Sequence, residues 1–379
     1  MITLSEEHRM LRAMVREFAE KEIKKESQEN DKAHRFPVGL VKRMGELGLM
    51  GVAIPEEYGG SGLDNLAYAI AVEEVSRGCA GTSVIMSVNN SLVGDPLLRF
   101  GTPEQKQKYL KPLAKGEKIA CFMLSEPQSG SDATHQKTTA QKKGHQYILN
   151  GTKNFITNGP QADFGIVFAM TDPSQGAKGV SAFIVEKGWK GFRVGSIDEK
   201  LGILCSGTSQ MHFDNCEVPE ENLLGKVGEG IKIAFSTLDG GRIGIGAQAL
   251  GIAQAAMEAA ITYAKERKQF GRAIGDFQAI QWILADMATS LDATRLLVYQ
   301  AANLKDQGKP YAIAGAKAKL FASEVAMEVT TNAIQVYGGY GYMKDYPLEK
   351  YFRDAKITQI YEGTSEVQRI VIARSLLKD

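Results

Sequence analysis

Several features that would fix a protein's class are scarce or missing in these 379 residues. The four cysteines, Cys79, Cys121, Cys205 and Cys216, lie far apart with no CxxC among them. That spacing argues against a disulfide framework or a zinc site and fits reduced thiols in a cytoplasmic protein. Five scattered histidines give no HExxH or comparable ligand spacing, so no metal is expected. Neither sign of charge is in excess: Lys and Arg total 45, Asp and Glu 44. Nucleic acid and anionic membrane are therefore not expected as main partners. No apolar run is long enough to span a bilayer. The opening stretch "MITLSEEHRMLRAMVREFAEKEI" is amphipathic, with Leu11, Val15 and Phe18 at helical spacing, and it carries acids. It reads as an amphipathic helix and looks like neither a secretory signal nor a transit peptide.

What is present is ordinary globular material, 44% hydrophobic and 23% charged, enough for two or three domains. There is no internal repeat and no low-complexity segment. The texture changes twice. Residues 1–118 read as helices around a glycine-rich turn, "PEEYGGSG". Residues 119–228 hold short β-branched and aromatic runs ("KIACFMLSE", "QYILNGTKNFITNG", "FGIVFAMT", "VSAFIVEK", "QMHFDNCEVP") separated by Gly, Asp, Asn and Pro, which predicts an all-β domain. Residues 229–379 return to long alanine-rich amphipathic stretches joined by short connections, the pattern of an antiparallel bundle.

Seven short motifs suggest chemistry, and each has a plain structural alternative. "GIGAQA" (Gly244 to Ala249) matches GxGxxA, but it lies inside a helical run without the strand a dinucleotide fingerprint needs, so its glycines serve helix packing. In "LSEPQSGSDA", exposed N–H groups with Ser125, Ser129 and Ser131 can cradle a phosphate or a ring edge, or form a turn. "NFITNG" offers Phe155 to stack on a flat ring and Thr157 to hydrogen-bond it, or a core aromatic beside a turn. In "ERKQFG", Arg267 suits a pyrophosphate, or simply the negative end of a helix dipole. "QVYGGYGYM" allows close ligand approach at Gly338 and Gly339, or a helix stop. "DGGR" places Asp239 and Arg242 three apart, for a ligand's amide chain or a surface pair. Near the C-terminus, "QIYEGTSEVQR" sets Glu362 beside a glycine, either to begin a helix or to hold a carboxylate where a ligand can approach the backbone.

Taken together, "CFMLSEPQSGSD", "NFITNG", "ERKQFG", "QVYGGYGYMKDYP" and "IYEGTSEVQR" resemble the acyl-CoA dehydrogenase family over essentially the full chain, most of all its short-chain, bacterial-type members. The resemblance implies an α+β architecture: an N-terminal α-helical domain, a middle β-barrel or sandwich domain, and a C-terminal four-helix bundle. It implies bound FAD and a homotetramer arranged as a dimer of dimers, with electron-transfer flavoprotein as the acceptor of electrons. It makes Glu362 the base that takes the α-proton of an acyl-CoA thioester while the β-hydrogen leaves as hydride to the flavin. The backbone N–H of Glu362 and a ribityl hydroxyl would stabilise the enolate-like oxygen. Burial beside the flavin would raise the carboxylate's pKa toward the working range. Phe122, Leu124, Ser125, Gly130, Ser131, Phe155 and Thr157 would line FAD, with Ser131 also near the CoA. Arg267, Phe270, Gln278, Gln335, Gly338 and Gly339 would reach FAD from a neighbouring subunit. Thr364 and Glu366 complete the flavin side of the catalytic loop. Tyr361, Gly363, Val88 and Leu92 would meet the acyl group, and Asp239 and Arg242 the CoA.

The chain departs from its relatives in places. Phe155 stands where many carry tryptophan. Gly241, just before the "DGGR" arginine, occupies the position from which one branch takes its base and cannot serve. "CAGTSVIMSV" lacks the arginine that relatives with dicarboxylic substrates place there. In "VIMSVNNSLVGDPLLRF", α-helical spacing would put Val88, Leu92 and Asp95 on one face toward the far end of the acyl pocket. Asp95 either turns to water and caps a local turn, or acts as a second proton acceptor for an alicyclic acyl-CoA. An oxidase and a non-catalytic flavin scaffold are the competing functions. Length disfavours the first, and an intact Glu362 the second.

Overall fold

The computed structural model describes residues 3–378. Helix α1 (Glu6–Phe18) starts at Ser5, whose hydroxyl accepts the His8 N–H while the His8 ring bonds back to the Ser5 amide. This reciprocal cap satisfies two amides that the first turn leaves without partners. Helices α2 (Lys24–Lys32), α3 (Val38–Glu46), α4 (Asn65–Gly78), α5 (Ala80–Ser87), α6 (Asp95–Phe100), and the short α7 (Pro103–Gln105) and α8 (Lys111–Ala114) complete the first region. Between α5 and α6 the chain stays helical over Val88–Gly94 but with widened turns, and the Asp95 N–H bonds back five residues to Asn90.

The middle region is one eight-stranded sheet in the order β6-β7-β3-β2-β4-β5-β8, with β1 pairing parallel to β4. The strands are β1 (Ala120–Met123), β2 (Thr139–Lys143), β3 (Gln146–Thr157), β4 (Phe164–Met170), β5 (Val180–Glu186), β6 (Phe192–Ile197), β7 (Thr208–Pro219) and β8 (Leu223–Leu224). Side chains alternate between faces along a strand. In β4, Val167 and Ala169 therefore join a core belonging to the sheet alone, while Phe164, Ile166 and Phe168 join the large core shared with the helices. The long β3–β7 pair changes register between Lys153 and Ile156. At this bulge Phe155 takes a φ of +58° and its ring turns out of the sheet.

The third region is built on α9 (Gly230–Glu266), with α10 (Gln278–Asp306), α11 (Ala312–Tyr337), α12 (Leu348–Ile357) and α13 (Ser365–Leu376) packed around it; a two-residue ribbon, β9 (Lys268–Gln269) with β10 (Arg272–Ala273), joins α9 to α10. Helix α9 is alanine- and glycine-rich because helices crowd it from several sides. A β-carbon on Gly244 would press on the Tyr68 hydroxyl, and one on Gly251 would overlap the Glu73 carbonyl of α4. The glycines of "GIGAQA" are thus packing residues, as their helical context implies. Among the described residues no helix is long and apolar enough to cross a membrane, and no group of His, Cys, Asp or Glu is placed to hold a metal. All four cysteines are buried and free.

Candidate active site

Helix α12 ends at Ile357, and the chain then makes a tight reversal before α13. Glu362 and Gly363 both adopt left-handed backbone there, with φ of +52° and +92°. The left-handed region is uncommon for a residue with a β-carbon and costs of order 1 kcal/mol or more, so the surroundings must hold the turn. Three contacts do so. Lys319 of α11, fully buried, donates from Nζ to the Gly363 carbonyl at 2.7 Å. Gln368 of α13 donates from Nε2 to the same carbonyl at 2.9 Å and to that of Glu362 at 3.3 Å. Thr364 caps α13, its hydroxyl accepting the Val367 N–H. The next residue back, Tyr361, is tied down by its hydroxyl to the Gln248 side chain on α9.

This turn aims the Glu362 side chain inward, where its Oε2 is buried with no hydrogen-bond partner among the described residues. Burial pushes the carboxyl up to about 7, against the opposing pull of Lys319 and Arg242. A buried acid without a partner is costly and unusual, and it marks a group kept free for something absent from the bare chain. Gly241 on α9 makes the room: a β-carbon there would overlap Oε2.

The carboxylate opens on a cavity of about 980 Å³ between the three regions. Fourteen residues singled out from the sequence line it together. They are Val88, Leu92, Phe122, Leu124, Ser125, Gly130, Ser131, Phe155, Thr157, Asp239, Arg242, Tyr361, Glu362 and Gly363. Two of the sequence motifs are pinned together here. The Asn154 N–H donates to the Ser125 carbonyl at 2.9 Å. Buried Lys153 donates to the Leu124 carbonyl, the Glu126 carboxylate and the Gln136 side chain at 3.2, 2.7 and 2.5 Å. Phe155 stands on the resulting wall with its side chain largely free. Arg242 is almost fully buried and reaches Asp239 at 2.8 Å.

Asp95 does not share the face of Val88 and Leu92. Over Val88–Gly94 the bonds run i→i+5, so each turn holds more residues than an α-turn and Asp95 is carried round the axis. Its carboxylate is occupied instead by Lys305 at 3.1 Å and Arg99 at 3.2 Å, and it does not line the cavity. α-helical spacing misplaced it because a wide-turned segment has no sequence signature of its own.

The remaining candidates lie elsewhere. Arg267, Gln335, Gly338 and Gly339 line a separate cleft of about 420 Å³ with Tyr263 and Tyr340. Phe270 projects almost wholly into solvent, and Gln278 begins α10; neither lines the cavity at Glu362 or the cleft at Arg267. Thr364 and Glu366 sit at the start of α13, behind the turn. Sequence reading missed Lys319, Gln368 and Gln248. One signal for Lys319 was available: in "AGAKAKLFAS" it falls on the face of Gly315, Ala316, Ala322 and Ser323, whereas Lys317 points outward.

Comparison with known proteins accounts for this arrangement. The chain matches the N-terminal, middle and C-terminal domains of acyl-CoA dehydrogenases at residues 5–117, 121–216 and 228–377. It is 54% identical to the short-chain specific acyl-CoA dehydrogenase of Clostridium acetobutylicum, covering 99% of both chains. It is 54% identical to the mitochondrial short-chain enzyme of Bos taurus, covering 100% of this chain and 92% of that one. It superposes on butyryl-CoA dehydrogenase from Megasphaera elsdenii with a TM-score of 0.98 at 46% identity, each chain covered in full. A chain from a structural study of the electron transferring flavoprotein of Acidaminococcus fermentans gives 0.99 at 58% identity, again over both full lengths. The protein belongs to the acyl-CoA dehydrogenase family. It is an oxidoreductase acting on CH–CH bonds, and its cofactor is FAD. The cavity fits that group: a free aromatic ring and the backbone of Gly130–Thr134 form a wall for a flat ring system, facing an unpartnered carboxylate.

Proposed function

We propose that this chain dehydrogenates short-chain acyl-CoA thioesters to 2-enoyl-CoAs, with Glu362 as the base that takes the α-proton. The observation that carries the reading is the buried, unpartnered Glu362 carboxylate, held near neutrality at the end of an apolar pocket lined by Val88, Leu92 and Tyr361. A base with a pKa near the working pH combines a usable ionised fraction with a useful affinity for the proton.

Each of the other residues has a part. The Glu362 N–H, which has no acceptor among the described residues, is free to bond the thioester oxygen as negative charge develops on it. Lys319 and Gln368 hold the turn so that this N–H and the carboxylate keep a fixed relation. Arg242 and Asp239 position the CoA portion, and Gly363 lets the thioester lie against the backbone. Phe122, Leu124, Ser125, Gly130, Ser131, Phe155 and Thr157 would hold FAD, which when bound supplies the acceptor for the β-hydride.

Short-chain preference is supported by the relatives' assigned substrates. Electron-transfer flavoprotein is the electron acceptor we infer. A homotetramer is favoured by exposed apolar side chains, Phe270, Trp282 and Tyr342 among them, which a lone chain would leave in water. In that assembly Arg267, Phe270, Gln278, Gln335, Gly338 and Gly339 would complete a neighbour's cofactor site. The alicyclic alternative loses its basis, because Asp95 is spent on Lys305 and Arg99.

The test is anaerobic bleaching of the flavin band with butyryl-, octanoyl-, glutaryl- and cyclohexanecarboxyl-CoA at equal concentration. Fastest bleaching by butyryl-CoA, abolished in Glu362→Gln with FAD retained, supports the reading. Preference for the cyclic thioester, or full activity of the variant, overturns it.

A further inference from the structure

The four cysteines are equally buried but not equally placed. Cys121 and Cys216 belong to the core of the sheet, and burial pushes their thiols up to about 12 and about 11. Cys79 and Cys205 are different. Their sulfurs lie 3.8 Å apart although 126 residues separate them in sequence. Cys79 is the extended residue between α4 and α5, and Cys205 sits in the loop between β6 and β7. Gly81 makes room for the second sulfur, since a β-carbon there would overlap it. Lys350 of α12 is fully enclosed, with Nζ 3.8 Å from the Cys79 sulfur and 2.5 Å from Asp354. Asp354 in turn accepts the Ile203 N–H at 2.6 Å, which fixes the loop that carries Cys205. All three regions of the chain thus meet at one pair of thiols with one ammonium directed at one of them.

We propose that Cys79 and Cys205 form a reversible oxidation site for small hydroperoxides, Cys79 as the attacking sulfur and Cys205 as the resolving one. The Cys205 S–H and the Lys350 ammonium together hold Cys79 below the ordinary thiol range, while its neighbour and burial hold Cys205 above it. A lysine beside one sulfur of a close pair is the arrangement that favours a thiolate. The Cys79 thiolate attacks the terminal oxygen of ROOH. The O–O bond breaks, an S–O bond forms, and the alkoxide takes up the proton the thiol released, leaving ROH. The Cys205 thiol then attacks the sulfenic sulfur. The S–O bond breaks, a disulfide forms, and the hydroxyl leaves with the Cys205 proton as water. Two thiols give two electrons to one peroxide. To form the disulfide the sulfurs close from 3.8 Å to a bond of about 2 Å. Both sulfurs are buried, so bulky thiol reagents are excluded from them in the folded protein.

The experiment treats reduced holoenzyme with a small excess of hydrogen peroxide, unfolds it in an alkylating reagent, and maps the peptides. The expected result is a fall from four alkylated thiols to two, with Cys79 linked to Cys205, Cys121 and Cys216 alkylated, and full recovery on reduction. In Cys205→Ser, Cys79 should stop at the sulfenic acid and be trapped by a dione probe when the treated protein is unfolded in its presence. Four alkylated cysteines after treatment, or oxidation of Cys121 or Cys216 as fast as Cys79, would overturn the proposal. So would failure of Cys205→Ser to give a trappable Cys79.

Discussion

Gly241 and Glu362 occupy the same space from opposite sides: the carboxylate Oε2 lies where a β-carbon on Gly241 would have to be. The absence of a side chain on α9 therefore sets the position of the acid. Gly241→Ala should push the carboxylate aside while leaving the cavity wall that holds the cofactor intact. A displacement of about 1 Å is enough to cost roughly 100-fold in turnover. Steady-state kinetics with butyryl-CoA and the flavin content of the purified variant would show the loss and its confinement to kcat.

Replacing Glu362 by Gln should lower kcat by about 10²–10⁴-fold, the range a positioned base contributes. In the parent enzyme, kcat/KM should fall as pH drops below the raised value of about 7, because protonation removes the base. A pH profile without an acid limb near neutrality would count against the assignment.

The same acid makes stability depend on pH. Its folded pKa, about 7, is above the ordinary value of 4.5, so the folded state favours the protonated form. That preference contributes fully below the unfolded pKa and is lost as pH rises through about 7. Glu362→Gln should therefore melt above the parent at pH 8, with the difference closing toward pH 5. Thermal melts of both proteins at three pH values would check it.

Lys319→Met should act in two ways. The Gly363 carbonyl loses a donor at 2.7 Å, which loosens the left-handed turn, and Glu362 loses a neighbouring positive charge. The acid limb of kcat/KM should move to higher pH and kcat should fall. If kcat falls with no movement of the limb, Lys319 matters to the turn alone.

Asp95→Asn should leave activity toward butyryl-CoA within about twofold and cost about 1 kcal/mol of stability, the scale of a partly exposed ion pair. Kinetics and chemical denaturation measure the two effects separately. A large loss of turnover would return Asp95 to the chemistry.

The three-part order of helices, sheet and helices was legible because each texture has its own signal: apolar residues three to four apart in α1, and short, continuous β-branched and aromatic runs such as that of β4 in the middle region. Most of the cavity wall was legible as well, since its motifs combine small, aromatic and acidic residues in a pattern peculiar to this family. What failed is instructive. Asp95 was misplaced because Val88–Gly94 winds wide, and nothing in "VNNSLVG" announces i→i+5 bonding. Lys319 was overlooked because a lysine in a helix is ordinarily solvated, and its burial follows only from how α11 packs against the turn at Gly363.

The sequence by itself determined the alternation of secondary structure, which rests on local residue types and spacing, and the family, which rests on its motifs taken together; Glu362 was singled out through that resemblance. The tertiary structure decided that this acid has no partner and that Gly241 makes room for it. It also decided that Lys319 and Gln368 hold its turn, and that Cys79 and Cys205 meet beside Lys350. Those facts concern residues tens to hundreds of positions apart, and only packing of the three regions brings such residues within a few ångströms of each other.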